Sequence, residues 1–151
     1  MSPYITITQN RKARHQYEVL DTIECGISLI GCEVKSLRQF NCSLDGSYAT
    51  ITDNEVWLIG CHIDPHENRD QFIEYQPTRK RKLLLKKKQI RQFAEKSEQK
   101  GYTLIPLSLY LKNGRVKVEL AVCKGKSLHD KRQSLSDKEA QKMLRDFGGK
   151  R

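Results

Sequence analysis

The sequence predicts a mainly β protein, a small antiparallel barrel with about two or three helices and a basic C-terminal tail. Three observations support this prediction. Short segments rich in β-branched and aromatic residues dominate the first half, Asn113-Gly114 joins two further apolar segments, and helical spacing of apolar residues is rare. With 151 residues, of which 37% are hydrophobic, the chain has the material for one core.

The strands of the first half are predicted from their composition and from turn residues. Residues 16–20 and 26–30 are short segments with β-branched and aromatic side chains. Residues 48–52 alternate between apolar and polar side chains, and Asp53-Asn54 joins them to the apolar residues 56–59. Because Asp and Asn tolerate the backbone of a tight turn, we expect a hairpin here.

A second hairpin is predicted near the end of the barrel. Residues 102–110 and 116–122 flank Asn113-Gly114, and such a pair between apolar segments is the strongest short-range hairpin signal. Proline has no N–H to donate to a strand ladder. Pro106 is therefore expected at an edge or a bulge.

Two helices are predicted from the spacing of apolar residues. Residues 32–38 read as one short helix, and residues 86–100 as a longer one that ends at Gly101. The longer helix has its apolar residues at positions i, i+3 and i+4, which are Ile90, Phe93 and Ala94. Residues 65–77 are polar and without periodicity, so we expect a surface loop.

The last part of the chain is predicted to be a separate basic tail. We place the barrel domain at residues 1–128 and the tail at residues 129–151. Ser136 and Glu139 form a capping box ahead of one apolar stripe, made of Ala140, Met143, Leu144 and Phe147. A single helix of this length is marginal in water. We expect it to be disordered when free and helical against a partner.

Charge is divided unevenly along the chain. Residues 1–78 carry a net charge of −5 and residues 79–151 a net charge of +15. The densest stretch, residues 79–88, holds seven cations and three consecutive leucines, of which at least one should be exposed. The electric field of such a charge distribution attracts polyanions, and the pattern favours nucleic acid, with cations on phosphates and an apolar side chain on a base or sugar. The alternative is a solvated basic surface above a leucine-rich strand or helix start.

Two further features allow more than one interpretation. Residues 10–15 form a second basic cluster, which is either part of the same interface or an ordinary cationic N-terminal arm. Glu33 lies close to Lys35 and Arg38 in the short helix. It either forms an intrahelical ion pair with one of them, or accepts hydrogen bonds from base edges or orients a basic neighbour.

The sequence gives no sign of a metal, a cofactor or a catalytic centre. The five cysteines are scattered without zinc-ligand spacing, so we expect reduced, mostly buried thiols and no bound metal. None of the four histidines lies in a known nucleophile, zinc or phosphate-loop motif. No segment resembles a membrane span or a secretory signal, and we expect a cytoplasmic protein.

Four motifs occur together in one order. They are NRKARHQY at residues 10–17, GCEVKSLR at 31–38, PTRKRKLLL at 77–85 and KGKSLHDKR at 124–132. In these motifs, and in residues 102–119, the chain resembles the small protein B family, the tmRNA-binding (SsrA-binding) proteins of bacterial trans-translation. The resemblance covers roughly residues 5–145, and four ordered motifs are far more specific than one.

The resemblance implies an oligonucleotide-binding-like barrel and a non-enzymatic adaptor for ribosome rescue. The barrel would bind the tRNA-like domain of tmRNA and deliver it to a stalled ribosome, where the tail would occupy the decoding centre and the mRNA channel. The expected partners are tmRNA, the ribosome and an elongation factor bound to charged tmRNA. No cofactor and no membrane are expected, and the protein is expected to be a monomer.

The resemblance and the basic run together give the expected site residues. The RNA-binding residues are Asn10, Arg11, Lys12, Glu33, Lys35, Ser36, Arg38, Arg79, Arg81, Lys82, Leu84, Lys124, Gly125 and Lys126. The residues of the ribosome-facing tail are His129, Asp130, Lys131, Arg132, Lys138, Lys142 and Arg145.

Two other functions are weighed against the adaptor. One is a ribosomal or cold-shock-like barrel that binds RNA generally, which would not need a tail that folds on binding. The other is an RNA-processing enzyme that uses His15 or His62 together with Glu33.

Overall fold

A computed structural model describes residues 4–66, 74–98 and 101–125 of the chain. Along these residues run nine strands and three helices. In chain order they are β1 (Tyr4–Gln9), α1 (Arg11–Gln16), β2 (Tyr17–Ile27), α2 (Gly31–Arg38), β3 (Cys42–Ser43), β4 (Tyr48–Thr52), β5 (Glu55–Ile59), β6 (His62–Ile63), β7 (Arg81–Leu84), α3 (Lys87–Ser97), β8 (Tyr102–Lys112) and β9 (Arg115–Gly125).

Six strands close into an antiparallel barrel. Their order around the ring is β8, β4, β5, β7, β2 and β9, and the pairing of β9 with β8 closes it. β1 adds to β8, and β3 pairs with β6 as a separate two-stranded sheet. The mainly β antiparallel barrel predicted from the sequence is confirmed.

The strand β2 corrects two of the strand predictions. Residues 16–20 and 26–30 were expected to be separate strands, but residues 17–27 form one strand along β9, with a register shift between Val19 and Asp21. Gln16 instead ends α1, and residues 28–30 follow the strand. The middle of β2 is polar because its outward face is in solvent, while Cys25 and Ile27 point into the core.

Both predicted hairpins are confirmed. Asp53 and Asn54 have φ values of 52° and 62°, and Asn113 and Gly114 have φ values of 53° and 77°. Two consecutive residues with positive φ are typical of the type I′ turn, whose twist matches that of paired strands. Pro106 lies at the register shift between residues 106 and 108 of β8, so its predicted place at a bulge is also confirmed.

The two predicted helices are present as α2 and α3. Ile90 and Phe93 place the apolar face of α3 in the core. The helix is shorter than predicted, because it ends at Ser97 with Glu98 as its C-cap, and Gly101, whose φ is 88°, directly precedes β8 instead of capping the helix. Of the predicted loop 65–77, residues 67–73 lie outside the described part, and the described remainder contains neither helix nor strand.

The N-terminal segment is more ordered than a cationic arm. Ile7 of β1 is buried in the core, and α1 follows directly. The Asn10 Oδ1 caps this helix by accepting a hydrogen bond from the Ala13 N–H at 3.3 Å. Since α1 has six residues and only Ala13 is buried, it depends on this cap and on its contacts with the barrel.

The cysteines are free thiols, as predicted. Cys25, Cys61 and Cys123 are buried, and Cys32 and Cys42 are half-buried. Burial raises the pKa of the Cys25 and Cys61 thiols to about 12, which keeps them protonated. In the described ranges, no group of three or more His, Cys, Asp or Glu side chains is arranged to hold a metal ion. No helix in these ranges has the length and apolar character needed to cross a membrane.

Candidate nucleic-acid interface

An ion-pair cluster with a fully buried centre, Glu33 and Arg81, and a partly exposed member, Arg79, joins α2 to β7. Glu33 and Arg81 both have 0% of their side chains exposed. The Arg81 Nε donates to Glu33 Oε2 at 2.7 Å, and the Arg79 Nη2 donates to Glu33 Oε1 at 2.5 Å. One carboxylate therefore binds two guanidinium groups that lie 46 and 48 residues further along the chain.

Backbone groups satisfy most of the remaining polar atoms of this cluster. The Arg81 Nη1 donates to Cys61 O at 2.8 Å, and its Nη2 donates to Pro77 O at 3.0 Å. The Tyr75 hydroxyl donates to Ile63 O at 2.9 Å, and the Ile30 N–H donates to Glu33 Oε1 at 3.0 Å. Buried charges require this kind of complete hydrogen bonding.

The cluster changes the acidity of its members. Burial alone would raise the pKa of Glu33, but hydrogen bonds from Arg79, Arg81 and the Ile30 N–H outweigh burial, and the pKa is lowered. Burial and the nearby Glu33 carboxylate raise the pKa of Tyr75 to about 12. Glu33 is thus an anion and Tyr75 a neutral hydrogen-bond donor at neutral pH.

The cluster holds a basic surface in place. It fixes α2, β7 and residues 75–79 relative to one another, and Lys35 and Arg38 on α2 are exposed beside it. In the described part of the chain, neither of these two cations has an ion-pair partner. Lys82 on β7 is half-buried and pairs with Glu55 at 2.9 Å near the surface.

Four of the residues expected to bind RNA are buried in this structure. Asn10, Glu33, Ser36 and Arg81 were expected to contact RNA, but all four are buried and their polar atoms bind other parts of the protein. Glu33 does not pair with Lys35 or Arg38 either. Of the interpretations considered for Glu33, the orientation of basic neighbours agrees with the observed contacts, although those neighbours are Arg79 and Arg81.

Ser36 and Asn10 hold the two helices on the barrel. The Ser36 hydroxyl donates to Asp64 O at 2.7 Å, next to β6. The Asn10 Nδ2 donates to Pro106 O at 3.1 Å and lies 3.4 Å from Leu44 O. Both residues therefore hold a helix, and with it the exposed cations of that helix, in place. Their own polar atoms are used in these hydrogen bonds.

The N-terminal basic cluster meets the end of β9. Arg11 and Lys12 of α1 are exposed, and Lys12 lies 3.8 Å from Asp45. α1 leads straight into β2, whose first residues pair with Gly125 and Lys124. The strand register therefore brings the basic residues of α1, near the start of the chain, close to Lys124 in the last strand. An open cavity of about 360 Å³ lies under α1 and includes Lys12, Asp45 and Tyr48 in its lining.

The three leucines of the basic run have different environments. Leu83 is 1% exposed and packs in the core, whereas Leu84 is 50% exposed and Leu85 is half-buried. The prediction that at least one leucine is exposed is confirmed. Lys82 and Leu84 point to the same side of β7 because side chains two residues apart share a face of a strand.

The residues proposed for an RNA-processing enzyme do not come together. In the described ranges, Glu33 accepts hydrogen bonds from Arg79, Arg81, Tyr75 and Ile30, and none from a histidine. His62 pairs with Asp64 at 2.6 Å on the surface. In the described part of the chain, the histidine–Glu33 pair that such an enzyme would use is therefore not formed.

Some site residues lie outside the described part, and others were missed in the sequence. Those outside it are Lys126, His129, Asp130, Lys131, Arg132, Lys138, Lys142 and Arg145. The sequence did not predict that Tyr75 joins the Glu33 cluster. The one signal in the sequence was that Glu33 is a single acid in a basic motif. Such an acid indicates a buried partner, but the motif does not show which cation the acid binds.

Comparison with known proteins gives consistent matches over most of the chain. The SmpB protein family matches residues 7–147. An SsrA-binding protein of Thermosynechococcus vestitus is 52% identical over 133 residues, which is 88% of each chain. An SsrA-binding protein of Clostridium tetani is 53% identical over 137 residues, which is 91% of this chain and 87% of the other.

A solved structure also matches. It is described as "tmRNA-SmpB: a journey to the center of the bacterial ribosome" and aligns with a TM-score of 0.67 and 45% sequence identity. The match covers 80% of this chain and 85% of the other.

Proposed function

The chain belongs to the SmpB protein family, and from this we propose that it is an RNA-binding adaptor that binds the tRNA-like domain of tmRNA and delivers it to stalled ribosomes. The names of the matched relatives and of the matched structure support this proposal. The structural observation that supports it most is the Glu33 cluster, because it fixes α2 on the barrel without neutralising Lys35 and Arg38, the exposed cations of that helix.

The members of the predicted set that are exposed or half-buried are the residues that bind RNA. Phosphates are contacted by cations on three parts of the barrel, and Leu84 contacts a base or a sugar. These cations are Arg11, Lys12, Lys35, Arg38, Arg79, Lys82 and Lys124. Asn10, Glu33, Ser36 and Arg81 act as positioning residues. Gly125 and Lys126, of which Lys126 lies outside the described part, bind RNA together with Lys124 in this proposal.

The tail contacts the ribosome. We propose that residues 129–151, which lie outside the described part of the chain, fold as a basic helix only in the decoding centre and mRNA channel. The capping box at Ser136 and the apolar stripe from Ala140 to Phe147 support a helix that forms only against a partner. His129, Asp130, Lys131, Arg132, Lys138, Lys142 and Arg145 face the ribosome.

The remaining properties follow from this role. The adaptor acts as a monomer, in the cytoplasm, with an elongation factor bound to charged tmRNA. We expect no catalysed reaction: in the described ranges the buried acid Glu33 is bound by two arginines, and His62 is paired with Asp64.

Separating the two parts tests the proposal. Rescue of stalled ribosomes and affinity for the tRNA-like domain are measured for the full chain, for a chain without residues 130–151, and for the triple variant Lys138→Ala, Lys142→Ala, Arg145→Ala. We expect both altered proteins to keep their RNA affinity and to lose rescue. Equal loss of both activities, in proteins whose thermal unfolding is unchanged, would contradict the two-part function.

A further inference from the structure

Phe40 lies in an unusual backbone conformation at the end of α2. Its φ is 62°, in the left-handed region that favours glycine. The Asn41 N–H donates to Ser36 O at 3.0 Å, and the Phe40 N–H donates to Leu37 O at 3.0 Å. These are the two hydrogen bonds of a Schellman helix end, in which the left-handed residue is usually glycine.

This conformation is held from both sides. The helix end fixes residues 40 and 41, and the Asp64 N–H donates to Asn41 O at 3.0 Å from the strand side. The turn therefore cannot relax without breaking contacts with both α2 and the segment after β6. A bulky side chain in such a place costs conformational free energy that glycine would not.

The Phe40 ring does not belong to the buried core of the protein. Its side chain is 55% exposed, and it is not among the residues that pack in or against either core cluster. A strained and exposed aromatic residue is thus unfavourable for the isolated protein in two ways. Strained residues cluster at functional sites, and this observation points to a contact that the free protein does not make.

The charges around Phe40 indicate the chemistry of that contact. Lys35 and Arg38 are exposed on one face of α2, three residues apart. In the described ranges they carry no ion pair, whereas the nearby acid Asp64 is already paired with His62. Two unneutralised cations beside an exposed ring are the arrangement that binds a single-stranded nucleic acid, with bases on the ring and phosphates on the cations.

We propose that Phe40 is a stacking platform for one unstacked base of the bound RNA, and that Lys35 and Arg38 hold the phosphates next to it. This subsite rests on the proposed function, since it takes its base from the same RNA. It adds an aromatic contact to a surface whose other predicted contacts are cations and one leucine.

The test is Phe40→Gly in the full chain, because stability and RNA binding should then change independently. Glycine suits φ 62° and the ring is more than half exposed, outside the buried core, so we expect a thermal unfolding midpoint no lower than that of the unchanged chain. Loss of one stacked base should weaken binding to the tRNA-like domain of tmRNA by about 5-fold to 150-fold. Phe40→Trp should keep the affinity.

Two controls separate stacking from other effects. Asn113→Gly relieves another residue with positive φ, in the β8–β9 turn, without removing a ring, and should leave RNA affinity unchanged. Lys35→Ala should lower the dependence of affinity on salt, whereas Phe40→Gly should not, because stacking releases no counter-ions.

The possible results are distinguishable. Equal binding of the tRNA-like domain and an ordinary tRNA by the unchanged chain would overturn the proposed function and this subsite with it. A clear preference in the unchanged chain that Phe40→Gly retains in full would overturn the subsite alone. A parallel loss of stability and affinity in Phe40→Gly would also overturn it, since the ring would then be structural.

Discussion

The Arg81 Nε of β7 donates a hydrogen bond to the Glu33 Oε2 of α2 at 2.7 Å, and neither side chain is exposed to solvent. Because charges buried in this way are costly unless they are paired, each residue requires the other. The pair fixes α2 on the barrel together with the Ser36 hydrogen bond to Asp64 O, and the exposed cations of α2 take their position from these contacts.

Removal of the Glu33 charge should destabilise the protein strongly. Glu33→Gln keeps the shape of the side chain but leaves Arg81 buried without a counter-charge, which costs about 3–5 kcal/mol in the free energy of unfolding. Urea unfolding measures this loss. The control is Glu55→Gln, which breaks the exposed pair with Lys82 and should cost about 0–1 kcal/mol. Similar losses in both variants would mean that the buried pair has no special role.

The RNA affinity should depend on Glu33 even though this buried side chain does not contact the RNA. Measured where both proteins remain folded, Glu33→Gln should lose more affinity for the tRNA-like domain than the roughly 0.5 kcal/mol that an exposed ion pair explains. The physical reason is that Lys35 and Arg38 lose their fixed position relative to β7. A smaller loss would leave Glu33 with a role in folding only.

Acid should weaken the same contact. The folded-state pKa of Glu33 lies below its ordinary value of 4.5, so the unfolded chain binds the extra proton more readily. Its stabilisation is therefore present above that ordinary value and is lost as the pH falls through the lower, folded-state pKa. Thermal unfolding of the unchanged chain and of Glu33→Gln should thus converge as the pH is lowered from neutral. Since Asp21 and Glu24 also have lowered pKa values and are present in both proteins, only the difference between the two reports on Glu33. A constant difference would contradict this.

The cations of α2 should act on RNA binding and not on folding. Lys35→Ala and Arg38→Ala should each weaken RNA binding and lower the slope of log affinity against log salt by about one. Their unfolding free energies should stay within about 0.5 kcal/mol of the unchanged chain. Lys96→Ala is the matched control on α3, since Lys96 is already paired with Asp21, and its salt slope should be unchanged. An equal drop for all three would indicate a general charge effect.

The adjacent leucines provide a further comparison. Leu83→Ala removes a side chain that is 1% exposed and should cost about 2–5 kcal/mol in the free energy of unfolding. Leu84→Ala removes one that is 50% exposed and should cost much less while lowering RNA affinity. Urea unfolding and RNA titration of both variants measure the two effects. If Leu84→Ala binds RNA as well as the unchanged chain, Leu84 makes no contact with it.

Local signals in the sequence were sufficient for much of the barrel. The Asp53-Asn54 and Asn113-Gly114 turns need positive φ, which few residues tolerate, so composition identified both hairpins. The apolar face of α3 follows from helical spacing alone. These elements are determined by residues that are close in sequence.

Contacts between distant residues were not predictable in the same way. β2 was taken as two strands because its middle is polar, and only its long pairing with β9 makes it continuous. Arg79, Arg81 and Tyr75 reach Glu33 from 42 to 48 residues away, and no periodicity encodes that meeting. The four buried site residues were therefore expected at the surface, since their motifs indicate RNA-binding regions and not which side chains point outward.

The most direct test is the affinity of the full chain for the tRNA-like domain of tmRNA and for an ordinary tRNA, measured at several salt concentrations. We expect a clear preference for the tmRNA domain that persists at physiological salt, because fixed contacts add to the general attraction of the basic surface. Equal and steeply salt-dependent binding of both RNAs would contradict the adaptor function and leave only a basic barrel with general affinity for RNA.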